Sequence, residues 1–212
     1  MKRAACLFFL IAGLLAGGTA ESDAASFDCG KASSSTERLI CGHRELGVRD
    51  EMMAKLYAAA QKRDDDGKLK DGQRQWLAAL QACSDAACIA GRYDERIERL
   101  LANKSAQALA TAFHTGGGNG NDGTLIVYGP YKGLAEISLS ATYVGPKGIA
   151  AGDVNADGAS GMIQLQDGRG QLATKGCLFR FRHLDAGTWK VSQSGKCALA
   201  SGVTLAGSHL FP

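Results

Sequence analysis

This chain of 212 residues is predicted to have an α+β fold in two domains, a small disulfide-bonded antiparallel helical domain followed by a small antiparallel β sandwich or barrel. Three observations predict it. Apolar residues recur at helical spacing from Ser33 to Leu101, whereas from Thr124 onward they alternate or cluster in short runs between glycines. The period changes once, across a glycine-rich stretch that suits a linker. The seven cysteines fall unevenly along the chain, which gives the two halves separate covalent frameworks.

The composition, 45% hydrophobic and 21% charged, is globular and excludes a disordered or collagenous chain. The formal charge of +3 is too small an excess for a nucleic-acid or membrane-adsorbing surface, so neither partner is expected. Lys2 and Arg3 precede the apolar run Ala4 to Leu15, and small residues follow, so residues 1–24 read as a secretory signal peptide. The run is too short to span a bilayer. Cleavage is expected after Ala24, with Ala20 as the other candidate, and it discards Cys6 with the signal. The mature chain is then expected to be periplasmic or secreted, without membrane insertion. Cys29, Cys41, Cys83, Cys88, Cys177 and Cys197 remain, an even set for a disulfide framework in an oxidising compartment. Zinc binding through Cys83 and Cys88 would need a second close cysteine or histidine pair, which the sequence lacks.

Residues 25–104 make the helical domain. Ser34 with Glu37 three residues later is a capping-box signal for a first helix. Gly42 and Gly47 are expected to bend or interrupt it, after which Leu46, Met53, Leu56, Tyr57 and Ala60 keep one apolar stripe. The run Asp64 to Asp66, with Gly67, breaks the pattern as a solvated loop. Leu69, Gln73, Trp76, Leu77, Leu80 and Cys83 return along one helical face, and Asp85 is a reasonable cap for a last helix carrying Ile89, Tyr93, Ile97, Leu100 and Leu101. Residues 105–123 are expected to form the linker.

Taken together, Phe27-Asp28-Cys29, Ala32, Glu37, Ile40-Cys41, Leu46, Asp50, Tyr57, Gln73, Trp76-Leu77, Cys83, Cys88, Tyr93, Arg96-Ile97 and Leu100 resemble the N-terminal domain of the LprI family, named for a bacterial secreted lysozyme inhibitor. The resemblance covers about residues 27–101 and rests on four cysteines, the Trp76-Leu77 pair and the Tyr93 and Arg96 spacing occurring in order. It implies a secreted, non-catalytic binding protein that blocks lysozyme by occlusion, with the inhibitory surface in residues 25–104. Lysozyme is therefore the expected partner; the alternative is a structural or interaction module of the bacterial envelope. Cys29 with Cys88 and Cys41 with Cys83 is the preferred pairing, because the return helix brings Cys83 back toward the start of the first. The crossed pairing stays open.

Residues 124–212 are β-rich. Candidate strands are Thr124 to Tyr128, Leu134 to Ala141, Gly148 to Ala151, Met162 to Gln166, Gln171 to Thr174, Cys177 to Arg182, Thr188 to Ser192 and Val203 to Ala206. Ala135, Ile137 and Leu139 alternate with Glu136, Ser138 and Ser140, as on a half-buried strand. A hairpin turns through Asp185-Ala186-Gly187, and a Cys177–Cys197 disulfide would close its open end. Arg180, Arg182 and Lys190 share the hairpin's exposed face, a solvated surface or a contact for an anionic partner. Asp153, Asn155 and Asp157 begin like a calcium loop, but Gln164 stands where a bidentate glutamate belongs, so Asx turns are the plainer expectation. His43, His114, His183 and His209 lack metal-ligand spacing, and no nucleophile motif accompanies them. No enzymatic activity, cofactor or metal is expected.

Overall fold

A computed structural model describes residues 25–62, 67–115 and 120–212. The signal segment, the run Asp64 to Asp66 and most of the glycine run lie outside the described residues. The first helix, α1 (Ser35–Gly42), starts at the capping box: the Ser34 hydroxyl accepts from the Glu37 amide at 3.1 Å, and the Glu37 carboxylate accepts from the Ser34 amide at 2.9 Å. Those bonds from the Ser34 and Ser33 amides hold the Glu37 carboxyl down at about 2. Gly42 ends α1, His43 adopts an extended conformation, and α2 (Arg44–Gln61) follows, with Gly47 buried inside it. Then come α3 (Lys68–Gln81), α4 (Ala86–Leu101), capped by Asp85 as its sequence suggests, and a single turn, α5 (Lys104–Gln107).

Among the described residues the β half holds eight antiparallel strands: β1 (Thr111–His114), β2 (Asn121–Tyr131), β3 (Leu134–Val144), β4 (Val154–Gln164), β5 (Arg169–Thr174), β6 (Cys177–Asp185), β7 (Thr188–Gly195) and β8 (Gly207–Leu210). Their order is β4-β3-β2-β1-β8-β7-β6-β5. Each strand therefore lies beside its neighbour in sequence, and β1 meets β8 through His114 and Leu210. The outer strands β4 and β5 also touch, with Lys175 pairing with Asp157, so the sheet curls into a nearly closed up-and-down barrel. Three hairpins turn through two residues with positive φ, Lys132-Gly133, Asp167-Gly168 and Lys175-Gly176, the conformation that matches the twist of the strands. Leu125, Ile137, Leu139, Ile163, Phe179 and Phe181 fill the interior, so the barrel is a packed core.

Several expectations change here. The segment read as a linker forms α5, β1 and the start of β2, because Thr111 to His114 pair with β2 residues Thr124 to Val127. Gly148 to Ala151 is not a strand: Ile149–Ala151 makes one 3-10 turn in the connection between β3 and β4. The last strand lies at Gly207–Leu210 and not at Val203 to Ala206.

The helical layer packs against the barrel instead of standing apart from it. Tyr128 of β2 and Leu134 of β3 point outward into the helical core. The Tyr128 hydroxyl donates to the Met52 carbonyl at 3.0 Å, and Lys132 pairs with Glu51 at 3.4 Å.

The disulfides correct the preferred pairing. Cys29 bonds Cys41 and Cys83 bonds Cys88, with Cα separations of 5.7 and 5.5 Å, while Cys177 bonds Cys197. The α3–α4 connection is so short that Cys83 and Cys88 already meet across it. The 3-10 turn Cys29–Lys31 folds back against α1, which brings Cys29 to Cys41. Each helical-domain bridge closes a short loop, so each restricts the unfolded chain by about 2 to 3 kcal/mol, against about 4 for a 60-residue loop. Peptide mapping without reduction is expected to release linked 29–41 and 83–88 fragments; a 29–88 fragment would contradict this connectivity. Three disulfides fit a chain that folds in an oxidising compartment. Among the described residues, no helix is long and apolar enough to cross a membrane.

Candidate functional site

The residues that carry the family resemblance converge inside the helical domain. Asp50 on α2 is 5% exposed and accepts from the Tyr93 hydroxyl at 2.9 Å and from the Ser26 amide at 2.7 Å. Burial, reinforced by the Asp50 charge, pushes the Tyr93 hydroxyl far above its usual range. The Trp76 indole lies edge-on to Tyr93 and donates to the Arg92 carbonyl at 2.8 Å. Arg96 donates through Nε to Gln73 at 3.0 Å, and burial lowers its pKa. Leu77 alone of the four motif positions Trp76, Leu77, Tyr93 and Arg96 reaches solvent, at 43% exposure. The other three join α2, α3 and α4 to one another and offer little to a partner.

The residues of the calcium alternative are divided between the 145–153 connection and β4. β4 begins at Val154, so Asn155 and Asp157 lie in the sheet opposite Tyr143 and Ala141 instead of lining a loop. Asp157 accepts from the Gly158 and Ala200 amides at 2.7 and 2.8 Å and from Lys175, and these contacts hold its carboxyl at about 2, the lysine contributing most. Asp153 accepts from the Lys147 amide at 3.0 Å. Both Asp157 oxygens and one Asp153 oxygen accept from protein donors, and among the described residues no histidine, cysteine and carboxylate group of three is arranged for a metal. His209 is 1% exposed, and burial draws its pKa down.

Two surface features stand out. The connection of residues 145–153 between β3 and β4 is bonded to itself: the Gly145 amide donates to the Asp153 carbonyl at 2.9 Å, Gly148 to Gly145 at 3.0 Å, and Gly152 to Ile149 at 2.9 Å. Ile149 at its crest is 73% exposed, in the same loop as Lys147. The sequence hid this loop because Gly148 to Ala151 has the apolar content of a short strand.

The second feature is a groove of about 820 Å³ on the outer face of β5, β6 and β7. Arg169, Arg182 and Lys190 sit directly opposite one another on three adjacent strands, and Gln171, Arg180 and Ser192 form the next tier. Arg180 donates to the Ser194 hydroxyl at 2.9 Å. The sequence singled out three of these cations and missed Arg169. The available signal was Asp167-Gly168, a two-residue hairpin turn that sets Arg169 opposite Arg182.

Between the layers, Glu136 of β3 is 2% exposed and lines a cavity of about 250 Å³ with Glu98 of α4. Its Oε2 has no hydrogen-bond partner. Burial, with the Asp94 and Glu98 charges, pushes its carboxyl up to about 9, against the pull of Arg49 and of the Gly161 amide. Comparison of the chain with protein-family models, curated proteins and solved structures finds no match.

Proposed function

We propose that this chain is a secreted, non-catalytic binding protein of the lysozyme-inhibitor type, which occludes the enzyme's cleft with its 145–153 loop. The exposure of Ile149 on a self-bonded loop is the observation that carries the reading. An isoleucine held out in water gains by transfer into an apolar pocket, and a loop already ordered loses little conformational entropy on binding. The Lys147 ammonium makes no ion pair with a described carboxylate, which leaves it for the paired carboxylates of a glycoside hydrolase cleft. That attraction acts at close range and needs no acidic surface to steer a basic enzyme. On this reading the contact lies on the barrel rather than on residues 25–104, where the resemblance alone puts it.

Lysis of a bacterial suspension by c-type and g-type lysozymes, with the purified mature chain added, tests the proposal. Inhibition of the c-type enzyme is expected at micromolar inhibitor, with Ile149→Asp and Lys147→Glu each weakening it about tenfold, or about 1.4 kcal/mol. Both variants should keep their thermal stability, because the substituted side chains are at the surface. Absence of inhibition at micromolar excess rejects the proposal. The burial of Trp76, Tyr93 and Arg96 favours a second reading, an envelope interaction module that shares only a scaffold with the inhibitors.

A further inference from the structure

We propose that the groove across β5, β6 and β7 binds an acidic oligosaccharide, a sugar chain bearing carboxylate or sulfate groups. The site uses none of the residues of the 145–153 loop and does not rest on the lysozyme reading. Neighbouring strands lie about 4.8 Å apart, so Arg169, Arg182 and Lys190 set three cations along about 10 Å, and Arg180 adds a fourth about 7 Å further along β6. Like charges directly opposite on adjacent strands destabilise a sheet. Here Arg182 has one on each side, and among the described residues none of the four cations has a carboxylate within 4.0 Å. Among the described residues no carboxylate supplies the counter-charge, and an anionic ligand in the groove would supply it.

The neutral side chains narrow its class. Gln171 and Ser192 flank Arg180, and Gln164 and Gln166 also line the groove. Amide and hydroxyl groups both donate and accept, which matches sugar hydroxyls set between anionic substituents. A single-stranded nucleic acid would need stacking platforms, yet Phe181 and Trp189 are each only 2% exposed. A flat membrane surface does not enter a concave site. The volume is that of an ordinary small-ligand pocket, sufficient for a few sugar units.

Calorimetric titration of the full mature chain at low salt with a galacturonate hexasaccharide, a sulfated hexasaccharide and uncharged maltohexaose tests the proposal. Micromolar binding of the carboxylated or the sulfated sugar, weakened at higher salt, is expected, and which of the two is tighter identifies the anionic group. Arg182→Gln, and separately the Arg169→Gln/Lys190→Gln pair, should weaken it at least about tenfold. Both variants should melt no lower than the parent, since each removes like-charge repulsion, so lost binding cannot be ascribed to misfolding. No binding of either acidic sugar, equal binding of maltohexaose, equal or tighter binding of a thymidine oligonucleotide, a polyglutamate peptide or anionic vesicles, or full binding by Arg182→Gln would each overturn the proposal.

Discussion

Glu136→Gln is expected to stabilise the protein by about 3 kcal/mol at pH 7 and to have little effect near pH 4. Glu136 faces outward from β3, but the helical layer covers it, leaving it 2% exposed near Asp94 and Glu98. Removal from water disfavours the carboxylate, and the two neighbouring acids disfavour it further. The folded protein therefore holds this proton up to about pH 9, whereas the unfolded chain releases it around the ordinary value of 4.5. A folded pKa above the unfolded one adds stability that is full below pH 4.5 and is lost as the pH rises toward 9. At about 1.4 kcal/mol per pKa unit, the loss by pH 7 is about 3 kcal/mol. Glutamine keeps the shape and has no proton to lose. The variant should melt on the order of 10 °C higher at neutral pH. Urea unfolding of both proteins across this pH range measures the difference; a stability gap that does not widen as the pH rises would refute the assignment.

The second large effect belongs to the Asp50–Tyr93 pair. Tyr93→Phe leaves a carboxylate oxygen of Asp50 without its donor at a site 5% exposed, and a cost of about 2 to 3 kcal/mol is expected. Asp50→Ala strands both the Tyr93 hydroxyl and the Ser26 amide, and should cost about 3 kcal/mol or more. Combining the two removes donor and acceptor together, so the double variant should be less destabilised than the sum by about 2 kcal/mol. Additive losses would mean that the two side chains act separately, each through its own packing. Because these residues hold α2 to α4, the effect should appear in unfolding curves and leave ligand binding at the barrel groove unchanged.

Local features of the sequence carried much of the fold. Ser34 and Glu37 announce their helix because the capping bonds lie within four residues, and Asp85 does the same for α4. The alternation of Ala135, Ile137 and Leu139 points them into the barrel for the same reason, since the pleat turns successive side chains to opposite faces. The short strands β1 and β8 escaped notice because neither has enough residues to establish a period; each is a strand through its pairing, β1 with β2 and β8 with β7. Pairing of the helical-domain cysteines depended on how the elements fold back on one another: the turn Cys29–Lys31 lies against α1, and Cys83 meets Cys88 across the short α3–α4 connection.

The sequence by itself determined the helical and β halves, the starts of α1 and α4, the inward face of the central strands and the six cysteines of the covalent framework. These follow from interactions among residues a few positions apart, where spacing alone decides who meets whom. Tertiary structure decided the rest. Glu136 has the pattern of a solvated strand position and is buried only because α4 lies over it. Arg169 joins Arg182 and Lys190 because three strands bring distant residues side by side. Trp76, Tyr93 and Arg96, conspicuous as a signature, turn inward because α2, α3 and α4 pack together there, with Tyr93 bonded to Asp50 and Arg96 Nε to Gln73. Burial and the partners of a charge are properties of the assembled layers, and no local spacing encodes them.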